Sequence, residues 1–106
     1  MDKILMNKNN IISNLVEFIN EFSVIIYERN NNEAYRLLII IIDKIDSIVG
    51  VKSALVLEHN FRIYIDQLTS QLPGLLEAFE NNDNVLISDI LKYEIKPILE
   101  KFSKVN

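Results

Sequence analysis

Cysteine and tryptophan are missing from this sequence, histidine occurs once, and glycine and proline number only two each. Without cysteine there is no disulfide framework, no thiolate metal ligand and no sulfur nucleophile. So few turn-formers disfavour a fold of many short strands and favour long helices. No apolar stretch approaches the ~20 residues needed to cross a bilayer, so a membrane is not an expected partner. The opening Met1-Asp2-Lys3 is followed only by Ile4-Leu5-Met6, too short and poorly patterned for a signal peptide. The expected location is therefore cytoplasmic. Basic runs are also lacking. Eleven Lys and Arg are scattered among fifteen Asp and Glu, for a net charge of −4. Phosphate binding requires a clustered positive field, so nucleic acid is not expected either.

What is present is a globular composition, 49% apolar and 25% charged over 106 residues, which suffices for one domain with a single core. The abundance of Ile, Asn and Lys is what an AT-rich coding sequence tends to give. The asparagine clusters therefore read as genome bias more than as function.

The dominant stretch is Leu37-Leu38-Ile39-Ile40-Ile41-Ile42, followed by Ile45, Ile48 and Val49. At about 100° per residue a helix here gathers Ala34, Leu37, Leu38, Ile41, Ile42, Ile45, Ile48, Val49 and Leu55 on one broad face. Ile39 and Ile40 fall on the other side, among Arg36, Asp43, Asp46 and Ser47. A strand competes, because four consecutive isoleucines favour β structure and Phe61 to Asp66 alternates. The flanks keep helical spacing for many turns, and helix is preferred at both places.

The spacing predicts four helices, at about 10–29, 33–57, 61–80 and 84–103. The first carries Ile11, Leu15, Phe18, Phe22 and Ile25, with Ile12, Val16, Ile19 and Ile26 beside them, a wide bundle face. Gly50 interrupts the second at a cost of about 1 kcal/mol relative to Ala. The third aligns Phe61, Ile65, Leu68, Leu72, Leu75 and Phe79, with Pro73 as an expected kink. The fourth aligns Ile87, Leu91, Ile95, Ile98 and Phe102, and Pro97 in its middle frees the carbonyl of Tyr93. An asparagine of 30–32 caps the second helix, and Asp83 or Asn84 the fourth. Short connections between helices of this length imply antiparallel neighbours. The expected fold is all-α, an antiparallel up-down-up-down four-helix bundle forming one domain over 1–106.

The segment from Asn84 to Leu99 resembles the C-terminal pattern of small uncharacterised bacterial all-helical proteins. That pattern has an acidic-Val-Leu start, then Asp, Leu, Tyr-Glu and Pro at the spacings seen here in Asp89, Leu91, Tyr93, Glu94 and Pro97. The resemblance implies a helical fold and no particular activity.

Chemistry is sparse. Glu94 falls at the edge of the apolar face between Ile87, Ile90 and Ile98, where a carboxylate needs a partner or water. It is expected to be semi-buried and to take a hydrogen bond near the Pro73 kink. Lys52 sits similarly between Ile48 and Leu55. A Lys52–Glu94 pair is disfavoured, because in a bundle of this topology the two lie at heights differing by roughly 13 Å at 1.5 Å per residue. A carboxylate-bridged metal pair needs two Glu-x-x-His motifs, and Val56 stands three residues before the lone His59. No serine has an elbow or Ser-x-x-Lys setting, and neither glycine belongs to a phosphate loop. No catalytic, metal or cofactor residue is therefore assigned, and enzymatic activity is not the favoured reading.

Exposed apolar pairs on helix faces are what a partner helix uses. The expected function is a small protein-interaction module, acting on another protein or on a second copy as a homodimer. Its candidate surface is Ile39, Ile40, Leu86 and Tyr93. The alternative is a small-ligand binder or enzyme with a polar cluster around Glu94 and Tyr93.

Overall fold

The computed structural model describes the backbone of residues 2–50 and 59–105 and the side chains of residues 9–49 and 62–105. These residues form four helical rods and no strand. Helix α1 runs Asp2–Tyr27, α2 Asn31–Gly50 and α3 His59–Glu80. The fourth rod has three parts, α4 (Asn84–Asp89), a π-helical segment (Ile90–Ile95) and α5 (Lys96–Ser103). Each rod packs on its neighbours in the chain, and α1 closes the ring against the fourth rod. Among the described residues the backbones of the diagonal pairs do not approach one another closely. This is an antiparallel four-helix bundle. Its long dimension is 42 Å, close to the ~39 Å that the 26 residues of α1 span at 1.5 Å each.

The central isoleucine run is helical, which removes the strand alternative there, and Phe61 to Asp66 is helical as well. Ala34, Leu37, Leu38, Ile41, Ile45 and Ile48 face the core, while Ile39 is 58% and Ile40 40% exposed. In α1 the buried line is Ile12, Leu15, Ile19 and Phe22, running between the two stripes read from the sequence. Helix α1 begins well before residue 10, because Asp2 to Asn9 continue it. Helix α3 passes through Pro73 without a break. The proline is solvent-exposed, so its ring and its missing N–H are not forced into the core. The expected run of the second helix from 51 to 57 lies outside the described residues, and so does Lys52.

The α1–α2 turn and the turn before the fourth rod use one device. Asn30 N–H reaches Ile25 O and Arg29 N–H reaches Ile26 O; Asp83 N–H reaches Ala78 O and Asn82 N–H reaches Phe79 O. These paired bonds are Schellman closures, which place the intervening residue in the left-handed region. Arg29 has φ 64° and Asn82 φ 55°. Each turn then caps the next helix. Asn30 Oδ1 accepts from Glu33 N–H, and Asp83 Oδ1 accepts from Leu86 N–H at 3.1 Å.

The two turns meet at one end of the bundle. Tyr35 stacks on Phe79, with ring centroids 5.4 Å apart. Its hydroxyl donates to Asn84 Oδ1 at 2.7 Å, while Asn84 Nδ2 donates to Asn31 Oδ1 at 3.5 Å. The asparagines treated above as genome bias thus include the ones that close this end.

Candidate functional site

The fourth rod decides where the polar candidates point. Its buried residues are Ile87, Leu91, Ile95, Leu99 and Phe102, so the first three steps are all four residues long. In an unbroken α-helix the twelve residues from Ile87 to Leu99 would drift by about 120°. One inserted residue cuts that drift to about 20°. The π segment supplies the insertion, with Lys96 N–H bonded to Leu91 O in an i to i−5 step. Pro97 follows within the first turn of α5, where a proline is tolerated.

This corrects two expectations. Leu99 is buried in the slot assigned to Ile98, which is only partly buried. Unbroken α-helical phase puts Glu94 at the core edge, and the extra residue swings it outward by as much as ~100°. It is exposed, not semi-buried. Tyr93 is 62% exposed, with Lys92 Nζ 5.3 Å from its ring centroid. Leu86 is 43% exposed and precedes the π segment, within which Tyr93 lies.

An open groove of about 350 Å³ lies between α3 and the fourth rod. Gln67, Ser70 and Gln71 line one wall, and Tyr93, Glu94 and Lys101 the other. Two amides, a carboxylate and an ammonium thus border one space. Pro97 lines the groove as well, and Gln71 stands two residues before Pro73 along α3. Among the described residues no group of three or more His, Cys, Asp or Glu is placed to hold a metal ion.

An apolar seam runs along the outer junction of α2 and α3. The Tyr35–Phe79 stack sets the register. One turn further along α2 is Ile39, and one turn back along α3 is Leu76, 58% and 45% exposed. The next pair is Ile42 and Leu72, both partly buried against the core. Ile40 points about 100° away from Ile39, toward α1, and belongs to a different surface. Leu76 was missed in the sequence because its facing partner depends on how α3 registers against α2.

The family described as Domain of unknown function (DUF8042) matches residues 4–105. The chain belongs to the DUF8042 family. An uncharacterized protein of Treponema pallidum (strain Nichols) is 37% identical over 54 residues, covering 44% of this chain and 27% of the relative. The chain therefore spans about a quarter of the length of this curated relative. No solved structure matches. The bacterial, uncharacterised relative agrees with the resemblance carried by Asn84 to Leu99. No helix among the described residues is long and apolar enough to cross a membrane.

Proposed function

We propose that this DUF8042 chain is a cytoplasmic protein-interaction module that binds a partner through exposed apolar helix surface. The observation that carries the reading is the α2–α3 seam, where Ile39 and Leu76 are exposed about one turn from the stacked Tyr35–Phe79 pair and Ile42 and Leu72 are partly buried. Single exposed aliphatics are ordinary. Exposed apolar residues drawn toward one junction from two helices suit a docking surface. Its test compares the wild-type chain with Ile39→Asp, both expressed at native level in the host and recovered by affinity tag. A stoichiometric partner held by the wild type and lost by the variant is the expected result. A monomeric chain recovered alone in both cases overturns it.

A second reading has one observation in its favour, the convergence of Gln67, Gln71, Glu94 and Lys101 on one groove. It makes the groove a site for a small polar ligand. Mass spectrometry of natively purified protein tests it, the expected finding being a bound small molecule that Glu94→Gln releases.

A further inference from the structure

We infer that the α2–α3 seam docks a basic amphipathic helix of a partner protein, an inference that rests on the interaction-module reading and names the chemistry of the partner. The seam runs through the pairs Tyr35–Phe79, Ile39–Leu76 and Ile42–Leu72. Seven residues of α2 separate its ends, about 10 Å at 1.5 Å per residue. That is two helical turns, the span over which a docked helix presents anchors at i, i+3 or i+4, and i+7.

Charge selects the occupant. Asp43 and Asp46 flank the seam on α2, and Glu77 and Glu80 flank it on α3, all four exposed. Arg36 and Arg62 each stand beside a carboxylate on their own helix. Arg36 Nη1 is 3.7 Å from Glu33 Oε2, and Arg62 Nε is 3.9 Å from Asp66 Oδ2. Lys44 does not serve the seam, since its Nζ lies over the Phe18 ring of α1 at 5.7 Å from the centroid. The fourth rod is balanced by contrast, with Lys92, Lys96 and Lys101 against Asp89, Glu94 and Glu100. An apolar strip inside an acidic frame attracts a helix with lysine or arginine beside its apolar stripe. A second copy of this face would set Asp43 and Glu77 against like charges, which costs affinity. Self-docking through the seam is therefore the disfavoured pairing.

The test is an unbiased one. A display library of random 16-residue peptides is selected against the whole chain, and the enriched peptides are measured by calorimetry and by NMR shift mapping. The expected winners carry apolar residues at helical spacing with flanking Lys or Arg. They shift the signals of Tyr35, Ile39 and Leu76, and bind Ile39→Asp at least about tenfold more weakly. Asp43→Lys and Asp46→Lys weaken them too, and added salt weakens binding to the wild type by screening. Both kinds of variant change exposed residues, and an unchanged melting temperature shows that the fold is kept. Acidic or uncharged winners, or indifference to these substitutions, overturn the inference. Winners that map to Leu86, Tyr93 or Ile40, or a dimer formed through the seam, also overturn it while leaving the module reading intact. A library without winners overturns the inference. If the host also yields no partner sensitive to Ile39→Asp, the module reading falls with it.

Discussion

The seam between α2 and α3 and the groove between α3 and the fourth rod are built on opposite responses to one problem. Helix α2 has more apolar residues than its inward face can hold, keeps strict α geometry, and leaves Ile39 in water. The fourth rod has apolar residues spaced in fours, and it gives up α geometry to keep them all inward. A regular helix exports its mismatch as apolar surface. A helix that yields exports polar groups, here Tyr93 and Glu94. The bundle's two candidate surfaces are therefore by-products of how two rods settle their phase against one core.

The largest effects are expected from deleting one residue in each rod. Removing Ile40 turns the rest of α2 by about 100° relative to the core and should abolish cooperative unfolding in circular dichroism. Removing Glu94 in a Pro97→Ala background should leave a folded bundle, because α phase then reaches Leu99 without the insertion. A collapsed Glu94 deletion would count against the π register. Next in size, Leu99→Ala should cost about 2–5 kcal/mol in urea unfolding, and Ile98→Ala clearly less. The reverse order would restore the unbroken α-helix. Tyr35→Phe keeps the stack that sets the seam's register but loses the bond to Asn84. It should lower stability by roughly 1 kcal/mol and leave the seam's peptide binding unchanged. The smallest effect compares the two turns. Arg29→Gly should stabilise by up to about 1 kcal/mol, since glycine enters the left-handed region without penalty. Asn82→Gly should gain less, because asparagine already tolerates that conformation.

The helices were legible because each rod repeats its apolar spacing over several turns, and the caps were legible because Asn30 and Asp83 precede those repeats. The face of α2 was readable down to the exposure of Ile39. Glu94 was misplaced because both Ile98 and Leu99 are apolar, so the sequence offered two continuations and α phase favoured the wrong one. The signal for the right one was there, three steps of four from Ile87 to Leu99 with Pro97 near their end. The end-closing network of Tyr35 and Asn84 was not readable, since its partners lie 49 residues apart. Leu76 and the acidic flanks were visible singly. Only the Tyr35–Phe79 register joins them into one surface.

The π segment also has a consequence for descent. A widened turn of this kind holds one residue more than the α-helix it interrupts, so a single in-frame deletion can remove it without remaking the core. Aligned members of the DUF8042 family should thus fall into two groups, separated by a one-position gap between the counterparts of Leu91 and Leu99. Those with the shorter helix should lack the proline at the counterpart of Pro97. They should also keep a carboxylate at the core edge only where a neighbouring helix supplies it with a donor.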